Sequence, residues 1–185
     1  AAPEGSETVA ENYFSDLVAS QGGSIGQWGL KRTQDLSDNL ISEAVTAVDM
    51  IGNPQFKAMS YGGYRSTSRT NGPSISEIKE DLSLLFQTGV RLIRTYNTQQ
   101  YPFARNTLQA IKELKATNPN FEMYVMLGAW IECKDAWTSA PDHSSGNTVK
   151  NGEEIAAAVE LINEYPDIVK IIAVGNESMV RWATS

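Results

Sequence analysis

The chain is poor in the side chains that do metal and thiol chemistry. It has one cysteine, Cys133, and one histidine, His143. A single thiol cannot close an internal disulfide, so cysteine usage leaves the redox compartment open. One Cys and one His fall short of the usual zinc ligand set, and no cofactor or metal is expected. Positive charge is also scarce: 15 Lys and Arg stand against 22 Asp and Glu, a net charge of -7 over 185 residues. Nucleic acid and anionic membranes need a basic face, so neither is an expected partner. No apolar run approaches the ~20 residues that cross a bilayer, so no membrane span is expected. The opening "AAPEGSE" lacks a basic and apolar leader. Its Ala-Ala-Pro start is compatible with cleavage of one.

What is present falls into two parts. Residues 1–52 read as a helical N-terminal extension. "SETVAENYFSDLVAS" carries Val9, Tyr13, Phe14 and Leu17 at helical spacing. "SDNLISEAVTAVDMIGNP" reads as a second helix, capped by Ser37 or Asp38, with a stripe of Leu40, Ile41, Ala44, Val45 and Val48. Gly52 and Pro54 stop it. From residue 53 the pattern alternates. "FKAMSYGGYR", "VRLIRTYNT", "FEMYVMLGAWIEC" and "IVKIIAVGNE" read as strands. Between them "SISEIKEDLSLLFQTG", "ARNTLQAIKELKATNPN" and "GEEIAAAVELINEYPD" read as helices. Four strands joined by long crossovers predict a parallel sheet, and their nearly continuous apolar runs predict burial on both faces. An open doubly wound sheet and part of a closed barrel both fit. The first strand-to-helix loop has neither a GxGxxG fingerprint nor a Walker lysine, which argues against a nucleotide site.

Parallel βα arrays collect their chemistry at the C-terminal ends of the strands. Those ends read "SYGGYR", "RTYN", "GAWIEC" and "VGNES", rich in Tyr, Trp, Arg, Asn and Glu. Tyr61, Tyr64, Tyr96, Tyr101 and Trp130 offer flat apolar surfaces with polar edges. Sugars suit such surfaces, because their C–H faces stack on rings while hydroxyls seek amides, guanidinium groups and carboxylates. Other polar features read as bland. "PDHSS" is a solvated loop, since adjacent Asp142, His143 and Ser144 cannot converge as a nucleophilic triad. Cys133 reads as a small buried residue. The acids of "GEEIAAAVELINEY" read as a solvated helix face. Asn176–Glu177–Ser178 is formally a glycosylation sequon, discounted because a strand end facing a cleft is a poor acceptor.

"SYGGY", "IRTYN", "YVMLGAW" and "IIAVGNES", in this order and spacing, resemble the first four strands of glycoside hydrolase family 17. That family holds β-1,3-glucanases and β-1,3-glucanosyltransferases on a (β/α)₈ TIM barrel. The resemblance covers residues 53–185. It implies an α/β fold, the first half of such a barrel, truncated after the fourth strand, and a secreted, periplasmic or cell-surface location. It implies Glu177 as the general acid/base of a retaining mechanism, with Asn176 bonding the sugar hydroxyl next to the reacting carbon. Tyr61, Arg94, Tyr96, Trp130 and Glu132 are the other expected substrate contacts. A glycosidase acid must stay protonated beside the leaving oxygen, and burial among aromatics raises a carboxyl pKa to that end. The family's nucleophile is a second Glu at the end of the seventh strand, and no acid of this chain matches it. The substrate so implied is a β-1,3-glucan such as laminarin, cleaved by water or transferred to a second sugar. The C-terminal half of the barrel is the partner this reading asks for. Two rivals remain: a non-catalytic half-barrel that binds glucan or assembles with another chain, and a closed α/β domain in which Glu177 is structural.

Overall fold

A computed structural model describes residues 45–67, 71–99 and 102–176. Almost all of the N-terminal extension, together with Tyr101 and Glu177, lies outside the described residues. Where the extension ends, Thr46 is extended and caps a single turn, α1 (Ala47–Met50). The Asp49 carboxylate accepts both the N–H and the hydroxyl of Thr46. The expected helix therefore does not run through Val45, and Val48 is exposed.

The βα alternation follows in sequence: β1 (Lys57–Ser60), α2 (Ile75–Gln87), β2 (Val90–Arg94), α3 (Phe103–Thr117) and β3 (Tyr124–Ala129). A two-stranded ribbon, β4 (Cys133–Lys134) and β5 (Asp142–Gly146), precedes α4 (Thr148–Glu164) and β6 (Val169–Val174). The main sheet has the order β1-β2-β3-β6 with every pair parallel. Strand order thus equals chain order. Local chemistry sets the helix ends. Ser74 and Glu77 form a capping box at the start of α2, which satisfies two backbone donors that a helix start leaves open. Gly89, at φ +90°, turns the chain out of α2 into β2. The Asn147 side chain accepts the Lys150 N–H and starts α4, four residues before the expected Gly152.

The three longer helices, α2, α3 and α4, lie on one face of the sheet. Ile78 and Leu82 of α2, Leu108 and Ile111 of α3, and Ala158 and Leu161 of α4 share one core with Ile93, Val125, Leu127 and Ala129. Among the described residues the opposite face carries a smaller cluster of Met50 from α1, Leu92 and Tyr124, with Val45, Phe56, Met126 and Ile171 packed against it. Burial of the Tyr124 phenol, first, and the neighbouring Glu122 carboxylate push its pKa up to about 12.

Three expectations change. Burial on both faces fails for the outer strands: all of β1 is exposed, and so are Ile172 and Val174 of β6. Among the described residues an outer strand has a neighbour on one side only, and apolar composition cannot supply the other. The polar stretch around "PDHSS" is not loop alone, because Asp142–Gly146 pairs antiparallel with Cys133–Lys134. Cys133 is only half-buried there, and Asp142 folds back to accept the Ser144 N–H and hydroxyl.

Candidate substrate-binding rim

Backbone pairing carries the strands past their formal ends at one rim. The Tyr61 N–H donates to the Arg94 carbonyl at 2.9 Å, the Thr95 N–H to Met126 at 3.1 Å, and the Gly175 N–H to Ala129 at 2.8 Å. The residues that follow each strand are thereby held side by side. Gly128 allows the closest approach. A Cβ there would lie 2.4 Å from the Thr95 carbonyl oxygen and 2.6 Å from the Tyr96 Cα. The chain leaving β2 therefore crosses directly over β3, and buried Thr95 fixes it by accepting the Gly128 N–H at 3.1 Å.

Arg94, Tyr96 and Asn176 meet at this rim. Arg94 Nη2 donates to Asn176 Oδ1 at 2.9 Å, and its guanidinium lies 5.3 Å from the centre of the Tyr96 ring. Arginine has only donors, so Asn176 must turn its oxygen towards it and its NH₂ elsewhere. The buried Arg94 Nε has no hydrogen-bond partner among the described residues. These groups offer donors beside a half-exposed aromatic face. Trp130 follows β3, next to the Ala129–Gly175 hydrogen bond, and its ring stacks at 6.2 Å and 28° on Trp137.

Tyr61 is not brought to this group. Its ring packs on Phe103 in the helix-side core, and its hydroxyl donates to Asp81 of α2 at 2.9 Å. Burial, first, and that hydrogen bond push its phenol pKa well up. Gly63, at φ +62°, makes room, since a Cβ there would come within 2.7 Å of the Tyr61 hydroxyl. Tyr64 stacks on Phe103 as well. Glu132 lies near the rim, but protein donors take up its carboxylate. Trp137 Nε1 donates at 3.1 Å, Asn147 Nδ2 at 2.9 Å, and Lys150 Nζ pairs at 3.0 Å. Glu132 thus ties the ribbon to the start of α4. Glu177, next after Asn176, lies outside the described residues.

Sequence reasoning missed Glu154. Of the acids read as a solvated face, this one is buried at 4% exposure. Its Oε1 accepts the N–H of Thr98 at 2.7 Å and of Trp130 at 2.9 Å. Its Oε2 accepts from Gln99 at 3.4 Å, and its backbone carbonyl accepts the Thr98 hydroxyl. One carboxylate on α4 therefore holds the segments that leave β2 and β3. A signal existed: Glu154, Ala158 and Leu161 stand at i, i+4 and i+7, all on the buried stripe of α4.

No grouping of three or more metal-ligating side chains occurs among the described residues. No helix among them is long and apolar enough to cross a membrane. The class so defined is a parallel α/β array, its crossover helices on one face, with donors and aromatic surfaces at its strand ends. Among solved structures the chain is similar to the crystal structure of an endo-laminarinase from Formosa Hel1_33_131. The two share 53% identity with a TM-score of 0.72, over 76% of this chain and 36% of that one. The chain thus spans about a third of that laminarinase's length. No protein-family model matches the chain, and no curated protein does.

Proposed function

We propose that this chain is the N-terminal half of a (β/α)₈ barrel of glycoside hydrolase family 17 acting on β-1,3-glucan. The observation that carries the reading is the Arg94–Asn176 pair beside the Tyr96 ring. It stands at strand ends of a chain 53% identical to an endo-laminarinase. Sequential strand order with the crossover helices α2, α3 and α4 all on one face supports a barrel over a doubly wound sheet, which carries crossover helices on both faces. The bare outer strands support a half. Met59, Ile172 and Val174 pair in register with Ile93, Leu127 and Ala129, so they point to the helix side, yet they are 50%, 46% and 72% exposed. In a closed barrel further helices would cover those positions.

The mechanism of the proposal is retaining. Glu177 protonates the leaving glycosidic oxygen while a carboxylate from the remainder of the barrel attacks the anomeric carbon. Glu177 then deprotonates water, or the hydroxyl of an acceptor sugar, to release the glycosyl group. Asn176, oriented by Arg94, bonds the hydroxyl beside the reacting carbon. Tyr96 and Trp130 take sugar faces. In this reading the enzyme works outside the cytoplasm, on polymeric glucan.

Two assays test this. The 185-residue chain alone releases no reducing sugar from laminarin, because one carboxylate cannot be both acid and nucleophile. In the full-length enzyme, Glu177→Ala slows attack on laminarin strongly, and much less on an aryl glucoside whose leaving group needs no proton. Azide needs no deprotonation and restores aryl-substrate turnover as the β-glucosyl azide. An α-azide would make Glu177 the nucleophile. Equal damage to both substrates without rescue, in a folded variant, would make it structural. Laminarin cleavage by the chain alone, lost in Glu177→Gln, would overturn the need for a second half.

A further inference from the structure

Trp137 is exposed by construction. It stands in the turn between β4 and β5 at φ +67°, a backbone conformation costly for a bulky side chain, and Asp135 stands nearby at φ +55°. The turn is stitched: the Thr138 N–H and hydroxyl both donate to the Asp135 carbonyl, and the Ala136 N–H to Cys133. The indole N–H is fixed on Glu132, which Lys150 and Asn147 hold in turn. Yet the residue as a whole is 70% exposed. A tryptophan that is strained, anchored at its polar edge and left open to solvent is poorly explained by packing. Strain and pre-organisation at an open position are features of binding sites.

Its surroundings say what it would bind. Trp137 lies against Trp130, and Trp130 follows β3 beside Gly175 and Asn176. We propose that Trp137 is a sugar-stacking platform at the edge of the rim, taking a glucosyl unit of a β-glucan chain that runs past Trp130. The inference rests on the proposed glucan activity and adds a subsite beyond the residues expected to touch the reacting sugar. A pyranose offers a C–H face that a flat indole matches, and an anchored ring loses little freedom when it binds.

The test uses the full-length enzyme, long laminarin, and an oligosaccharide of two or three glucosyl units. Trp137→Ala raises KM for long laminarin about five- to tenfold, the worth of one aromatic contact. It leaves kcat and the short substrate unchanged. Trp137→Phe keeps a ring, loses the anchoring N–H, and retains most of the wild-type KM. An unchanged KM for long laminarin in Trp137→Ala overturns the platform. An equal rise for both substrates with a lowered Tm does so too, and assigns Trp137 to folding of the ribbon. If wild type cleaves no laminarin, the glucan activity itself falls. Calorimetric titration with laminarin oligosaccharides then decides the platform separately: weaker binding by Trp137→Ala supports it, and equal or absent binding overturns it.

Discussion

Leu127 and Ile172 are register partners on neighbouring strands, face the same side, and differ little in hydrophobicity. Leu127 is fully buried and Ile172 is 46% exposed. Ile93 and Met59 repeat the contrast between β2 and β1, at 0% and 50%. The inner pair of strands has helices over it and a strand on each side. The outer pair has the same kind of residues and lacks that cover among the described residues. Burial here follows neighbours and not composition; the inner strands hold most of the sheet's buried residues and lead into Arg94, Tyr96 and Trp130, while Asn176 follows the outer strand β6.

The hardest blow to that centre is the addition of one methyl group. Gly128→Ala puts a Cβ within 2.6 Å of backbone atoms of Thr95 and Tyr96. Backbone there cannot swing aside as a flexible side-chain end would. Either β2 and β3 separate or the segment carrying Tyr96 lifts off the rim. We expect a loss upward of ~4 kcal/mol, at the diagnostic end of single substitutions. A chemical denaturation midpoint within error of wild type would mean that Tyr96 does not cross β3 as described.

The inner–outer contrast can be measured directly. Leu127→Ala removes side-chain atoms from a closed core and should cost about 3 kcal/mol. Ile172→Ala removes a half-exposed side chain and should cost about 1 kcal/mol or less in the 185-residue chain. In the full-length enzyme of our proposal the second value rises towards the first, because further helices cover Ile172. Urea midpoints of the two variants in both chain lengths check this. Equal costs in the short chain would show that Ile172 is already covered.

Much of this centre was legible in the sequence. The runs at Lys57–Ser60, Val90–Arg94, Tyr124–Ala129 and Val169–Val174, with helical stripes between them, gave four strands in chain order. The Arg, Tyr, Trp and Asn at strand ends gave a rim, and the structure brings Arg94, Tyr96 and Asn176 together there. The rest depended on direction and not composition. Tyr61 stands at a strand end like Tyr96, but it turns to the helix side and finds Asp81. The ribbon at Cys133–Lys134 and Asp142–Gly146 has no apolar alternation to announce it, because side chains such as Glu132 and Asn151 hold it instead of a core. Glu132 bonds Asn151 through its own backbone N–H and carbonyl, a pairing invisible in a list of residue types.

Glu154 offers the finest test of how the centre supports the rim. Its carboxylate answers two backbone donors, at Thr98 and Trp130, that would otherwise face a buried acceptor site left empty. Glu154→Ala removes the acceptor for both and should cost about 2 kcal/mol, the range for unsatisfied buried polar groups. Glu154→Gln keeps an oxygen for those donors, but it gives up the charge and replaces the acceptor that Gln99 uses, at the long distance of 3.4 Å, with a donor. It should therefore cost less than Glu154→Ala. Amide hydrogen exchange reads the effect where it acts. Thr98 and Trp130 should lose protection in Glu154→Ala and keep it in Glu154→Gln, while amides inside β1, at the far edge of the sheet, change in neither. Equal exchange at Thr98 in wild type and Glu154→Ala would separate the buried acid from the rim it is said to hold. A spread of lost protection into β1 would mean that the outer strand is more tightly coupled to the centre than its exposure implies.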